Sequence, residues 1–456
     1  MIEALFRKTL VPGQDNAAQC IGPRDGANSA LREPAANVWT HTAKTWESIM
    51  RLTRRTALAG LAAGLAGPVL VAQRSGFAEG APTMRIGILQ DASSPHAPGV
   101  VACAKLAAKE INQAKGLRVD FLAGDHQNLA DTGLGIARAW LDDGVDAVLG
   151  FGNSEVALAV QALVRDQDRV MLATNVGAAS LHGANCTPNA THWSFDTDML
   201  ARSLGSAVYD GGGDSWFFIR ADNGPGKAMR DDIAAIIDKK GGKVLGEAAL
   251  PPGTNDFAPA LKLAQASGAK IVALALAGND QIGCLKQARD AALMSGGQTF
   301  ASPMIDLQDI HTLGLATAKG LQTAASFYWN LNDRTRAFTR HVIGTMAGKP
   351  PNMVQAGAYS AVTHYLKAVV DLGPAAARVS GRVTVARMKQ MPVQDDVLTN
   401  ARIRNDGRVV SDVHLFEVNS PEASKSEWDV LALKATLAPD QAWRPEADSG
   451  CDPAKI

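Results

Sequence analysis

From Met84 onward, short apolar runs alternate with stretches whose apolar residues recur every three or four positions, and this rhythm constrains the fold more than any other feature. Repeated strand-helix units predict an α/β protein with parallel sheets covered on both faces, whose ligands sit outside the carboxyl ends of the strands. Functional residues are therefore sought in the turns that follow strands. The clearest unit spans residues 147–160: an apolar strand, a turn containing Gly150 and Gly152, then an amphipathic helix with Asn153 or Ser154 at its N-cap. Such a turn presents backbone N–H groups and a hydroxyl at the positive end of a helix, an arrangement suited to anions. A second turn of this kind, 174–180, follows the apolar run 170–173. Two adjacent helix starts facing one crevice suggest a receptor for a small carboxylate.

The same reading places strands at 85–89, 117–122, 215–220, 242–249, 270–276 and 321–328. Helices are expected at 100–114, 131–141, 199–209, 226–239, 256–266, 280–293, 333–346, 355–372 and 382–389. The rhythm stops near 193–198 and restarts, which implies two lobes with a cleft between them. Asp406-Gly407 between extended runs predicts a hairpin with 413–418 as the returning strand, and the tail from Ser420 reads as polar and proline-punctuated. A chain of 456 residues fits two or three domains. Lys+Arg and Asp+Glu are both 45, so no basic imbalance points to nucleic acid. The five cysteines form no CxxC pair, and no zinc site or other metal is expected.

Residues 50–78 carry a basic start with Arg54-Arg55, a mildly apolar Ala/Gly/Leu core and a small residue at the junction, the pattern of an export signal of the twin-arginine kind cleaved after Ala78. The apolar run is shorter than the roughly 18–20 residues of a membrane span and contains Pro68. Residues 1–49 lack periodicity and read as disordered or as an extension upstream of a true start at Met50.

The order of elements resembles the branched-chain amino-acid-binding family of ABC-importer solute receptors. The resemblance rests on Ile86-Gly87-Ile88-Leu89 before a polar loop, Leu149-Gly150-Phe151-Gly152-Asn153-Ser154, the 174–181 turn, Asn255-Asp256-Phe257, Tyr328 to Asp333, and Gln355 to Ala361. It covers roughly residues 84–451. It implies a type I periplasmic-binding fold: two Rossmann-like lobes, three interlobe crossovers and a ligand cleft between. Lobe one would comprise 84–198 plus 327–395 and lobe two 199–326 plus 396–435, with 436–456 as a tail returning to lobe one. The implied function is periplasmic capture of one small carboxylate-bearing molecule, a branched-chain or related amino acid or an aromatic acid, and its delivery to a membrane permease by a monomeric receptor without cofactor. A disulfide between Cys186 and Cys451 is also implied, while Cys103 and Cys284 fall on amphipathic helices as small buried hydrophobes.

Carried onto this chain, Gly152, Asn153 and Ser154 would hold the carboxylate, with Asn175, Gly177, Ala178 and Ala179 lining the second turn. Ser94 lies in the loop placed to roof the pocket. From lobe two come Asp222 and Asn223, Asn279 and Asp280, and Asp306, each also the residue type expected at a helix cap. Tyr328 would add an aromatic wall. Enzymatic readings are less well supported. Asn223 to Lys227 is half a P-loop without its hydroxyl residue, and Gly152-Asn153-Ser154-Glu155-Val156 departs from GxSxG at its last position. A hydrolase built on Ser154 and a small-ligand sensor domain stand as the alternatives.

Overall fold

The computed structural model describes residues 83–293 and 296–456. The readings for 1–49 and for the 50–78 signal lie outside the described residues.

The first half of the molecule is built from β1 (Met84–Gln90), α1 (Ala97–Lys115), β2 (Val119–Asp125), α2 (Ala130–Asp142), β3 (Ala147–Phe151), α3 (Ser154–Asp166), β4 (Val170–Asn175) and β5 (Ala190–His192). The second half follows with α4 (Thr197–Asp210), β6 (Ser215–Ala221), α5 (Gly224–Lys239), β7 (Lys243–Leu250), α6 (Ala258–Ala266), β8 (Ile271–Ala275), α7 (Gly278–Asp290), β9 (Thr299–Ala301), α8 (Leu307–Leu313), α9 (Leu315–Ala318) and β10 (Gln322–Ala325). The chain then returns to the first half through α10 (Asp333–Val342), α11 (Met353–Leu372), α12 (Pro374–Val379) and α13 (Gly381–Gln390). A short ribbon, β11 (Arg402–Ile403) and β12 (Val409–Val410), precedes β13 (Val413–Val418), β14 (Leu431–Leu437) and α14 (Pro439–Ala442).

One sheet has the order β2-β1-β3-β4-β5, all parallel; the other runs β14-β13-β10-β9-β8-β6-β7, with β13 and β14 antiparallel at one edge. The strand order reverses on either side of β1 and β3 in the first sheet, which opens a crevice at their carboxyl ends. Every residue of β3 and β8 is buried, as expected of strands covered by helices on both faces. Helix α11 is buried along most of its length because it packs on α1 and against β4. One core cluster runs through both sheets, joining Ile86 and Leu172 to Trp216 and Ala301.

Three readings change at this level. The hairpin around Asp406-Gly407 closes on Val409–Val410, while Val413–Val418 pairs with β10 and β14. The stretch after Ser420 contains strand β14, buried only at Leu431 and Leu437 and exposed at Leu433, Lys434 and Thr436, with a lysine on the outside as at many sheet edges. Strands β5 and β9 and helices α8 and α12 were not expected, being too short to establish a period in the sequence.

The tail is anchored where the disulfide was expected. Cys186 and Cys451 are bonded across 265 residues of sequence. The Trp443 indole N–H donates to the Ser411 carbonyl at 2.7 Å, and Arg444 pairs with Asp198 at 2.7 Å. Cys103 and Cys284 are buried free thiols, and burial pushes Cys284 up to about 12.

Candidate functional site

At the end of β3, Gly150, Phe151 and Gly152 have φ of 109°, 96° and 74°. A register shift between Gly150 and Phe151 marks a bulge there. A left-handed Phe costs roughly 1–3 kcal/mol and persists only where its surroundings impose it. Here Phe151 is fully buried, and the buried His126 donates from Nε2 to its carbonyl. Nδ1 of His126 accepts from the Asn128 N–H at 3.0 Å, which fixes that tautomer. The turn then delivers Asn153 as N-cap of α3, its side-chain oxygen accepting from Glu155 N–H at 2.8 Å and Val156 N–H at 3.2 Å. Ser154 is the first helical residue, half-buried. Among the described residues, the N–H groups of Gly152, Asn153 and Ser154 have no protein acceptor.

The second turn follows β4 and runs into only the 3-10 turn Ala179–Leu181, too short to be the second helix start expected from the sequence. Asn175 ends the strand, and the N–H groups of Gly177, Ala178 and Ala179 likewise have no acceptor among the described residues. This turn is held from beneath. His192 Nε2 donates to the Val176 carbonyl at 2.9 Å, so its Nδ1 is free to accept from His182 Nδ1 at 3.1 Å. Burial, reinforced by the Arg408 charge, holds both imidazoles well below the usual histidine range. His182, His192 and Asp196 approach closely enough to share a cation. Asp196, however, already faces Arg408 Nε at 3.0 Å and accepts from Met199 N–H at 2.7 Å, so a metal ion there would sit against a buried guanidinium. The cluster is a structural support.

In the second half the expected residues are differently placed. Asp222 is exposed and pairs with Arg220 at 3.2 Å; Asn223 is exposed and caps α5. Asn279 is exposed in the first turn of α7, and Asp280 accepts from Gly253 N–H at 2.9 Å. Asp306 caps α8 in a reciprocal arrangement with Asp309, whose carboxyl is pushed up to about 6 by burial and by its acidic neighbour. Tyr328 is buried, with its hydroxyl donating to the Trp428 carbonyl at 3.2 Å and accepting from Val430 N–H at 3.1 Å. Its ring packs on Phe416 in the second-half core, and it also lines a small cavity with Asp306 and Asn352. Ser94 lies in the loop after β1, where its hydroxyl accepts from His96 N–H at 3.3 Å.

Two strand-end loops, one from each sheet, meet through Asn352, the buried N-cap of α11. Its amide donates to Asp306 at 3.1 Å and to Gln308 at 2.9 Å, and lies 2.9 Å from His96 Nδ1. The carboxyl edges of the two sheets therefore face each other. Gln90, His126 and Asn352 were not singled out from the sequence. For Gln90 and His126 the signal was available, since each is a polar residue at the carboxyl end of an apolar strand run, where α/β crevices form.

Two largely parallel sheets with facing carboxyl edges define the type I periplasmic-binding fold. The chain belongs to the periplasmic binding protein family, whose profile matches residues 83–425. It is similar to a branched-chain amino acid ABC transporter periplasmic ligand-binding protein from Burkholderia xenovorans, at 34% identity and a TM-score of 0.76, covering 81% of this chain and 99% of that one. A Leu/Ile/Val-binding protein homolog from Brucella melitensis is 26% identical over 175 residues, 38% of this chain; the match spans 44% of that relative's length. A solute-binding protein of an ABC transporter from R. palustris, solved with benzoate, shares the fold at 18% identity and a TM-score of 0.65, covering 78% of this chain and 97% of that one.

Proposed function

We propose that this protein is the exported solute receptor of an ABC importer, which captures a small carboxylic acid in the crevice between its two halves and presents it to a membrane permease. The observation that carries the reading is the pair of first-half turns whose N–H groups at 152–154 and 177–179 lack acceptors around the start of a 13-residue helix. Membership of a family of binding proteins supports a receptor over a catalyst. The names of its relatives supply the candidate ligand class: branched-chain amino acids for the Burkholderia and Brucella proteins, an aromatic acid for the R. palustris one. Asp222, Asp280 and Asp306 are already engaged by protein partners, which favours an acid without an ammonium group. Periplasmic location, the twin-arginine-type signal, the lobe boundaries 84–198 plus 327–395 and 199–326 plus 396–435, and a monomeric state belong to the same proposal.

The test is a thermal-shift screen of the purified protein against amino acids, aliphatic acids and aromatic acids, with saturable stabilisation expected for at least one acid. Ser154→Ala should weaken that ligand about tenfold, the loss of roughly 1.4 kcal/mol, without lowering the melting temperature of the free protein. Unchanged affinity would remove the Ser154 side chain from the site.

A further inference from the structure

Gln90 is 4% exposed, and among the described residues neither its Oε1 nor its Nε2 has a hydrogen-bond partner. It closes β1 in the middle of the first sheet and lies over the strained turn ahead of α3. A Cβ added at Gly150 would meet Gln90 Nε2 at 2.4 Å, and one added at Gly152 would lie 3.8 Å from Gln90 Oε1 and 3.4 Å from Asn175 Nδ2. The carboxamide thus packs against the Gly150–Gly152 turn, on the side where the Asn175 amide of the second turn also approaches. A buried amide left unmatched at both ends costs roughly 1–3 kcal/mol per polar atom, a cost that a hydrogen-bonding ligand would relieve.

A carboxylate alone cannot do so. It offers acceptors only: it would serve Nε2 and leave Oε1 unmatched or facing negative charge. Full satisfaction needs an acceptor and a donor, and since the two ends of a carboxamide stand side by side, those groups must be neighbours on the ligand. An ammonium would supply the donor, but the second-half carboxylates that would balance its charge are already engaged. Building on the receptor reading above, we propose that Gln90 is a specificity-determining residue of the crevice, and that its carboxamide selects a 2-hydroxy acid, donating to the carboxylate and accepting from the adjacent hydroxyl.

The experiment compares matched acids with and without the hydroxyl by calorimetry: 2-hydroxy-3-methylbutanoate against 3-methylbutanoate, and mandelate against phenylacetate. Valine is the ammonium-bearing control. The protein should bind the hydroxyl-bearing member of at least one pair tenfold or more tighter, and more tightly than valine binds. Gln90→Met, close in shape and without the amide, should weaken both members of the pair through loss of the donor to the carboxylate, and should weaken the hydroxy acid more, so that the preference falls below threefold. Should that variant fail to fold by circular dichroism, Gln90→Asn, which keeps the amide but withdraws it, is measured for the same loss of preference. Equal affinity within each pair means that water meets the carboxamide, and this overturns the assignment of Gln90 while leaving the receptor reading intact. A preference for the hydroxyl, or for valine, that survives the loss of the amide overturns it as well. If no acid binds at all, the receptor reading falls and takes the assignment with it.

Discussion

The turn at 150–154 on the first sheet and the turn at 221–226 on the second are the same kind of junction, a parallel strand running into an Asn-capped helix, yet they are built to different standards. On the first sheet, three successive residues sit at positive φ, His126 holds the bulge from behind, and the Gln90 carboxamide lies over it with no hydrogen-bond partner among the described residues. On the second, residues 222–225 are exposed and Gly224 has open space where a side chain would go. Strain that is kept and supported is the mark of a surface shaped in advance for a ligand, whereas a relaxed rim serves as a cover. The proposed order of events follows: the acid docks on the first half, and the second half closes over it.

The sharpest way to break this comparison is to give both turns the same substitution. Gly150→Val places a branched side chain at φ 109° against the Gln90 amide, and should lower stability by roughly 4 kcal/mol, strain and overpacking together. Gly224→Val, in the matching turn, should cost less than about 1 kcal/mol. Denaturant melts of the two variants decide, and equal losses would end the distinction.

Next in size is the support of the bulge. His126→Leu leaves the Phe151 carbonyl buried without a donor, at a cost of about 1–3 kcal/mol. Hydrogen exchange should speed up at residues 150–154 and stay unchanged at 221–226.

Acid should act on the same half. The native His182 and His192 take up protons less readily than they would in the unfolded chain, because burial and Arg408 oppose the charge. Their contribution is therefore complete above about pH 6.5 and is lost as pH falls below it, at up to about 1.4 kcal/mol per pH unit for each imidazole. Melting temperatures between pH 7 and 5 should fall, and His192→Gln should flatten the slope. An unchanged slope would show that the pair does not carry the acid sensitivity.

The smallest effect is expected on the cover. Asp222→Asn removes one arm of an exposed ion pair and should shift stability by no more than about 0.5 kcal/mol and ligand affinity by less than twofold. A tenfold loss of affinity would make the second rim a binding surface in its own right.

The rhythm of strands and helices, the two turns at 152–154 and 175–179 and the N-cap role of Asn153 or Ser154 were legible because each rests on local spacing and residue type. Cys186 and Cys451 were paired through family resemblance, since a contact across 265 residues leaves no local trace. The same holds for the burial of Tyr328. An aromatic residue after a strand reads alike whether it lines a crevice or fills a core, and only the backbone of residues 428–431 decides where its hydroxyl goes.

Chain order alone determined the class of fold, because periodicity and capping are properties of neighbours in sequence. Tertiary structure decided which polar groups are spent and which are left over. Asp222, Asp280 and Asp306 carry the residue types of a site but find partners inside the protein, while the side chain of Gln90, a polar residue closing an apolar strand, has none among the described residues. Whether a hydrogen-bonding group is satisfied depends on what lies opposite it in space, and in this fold those neighbours come from strands, turns and caps far apart along the chain.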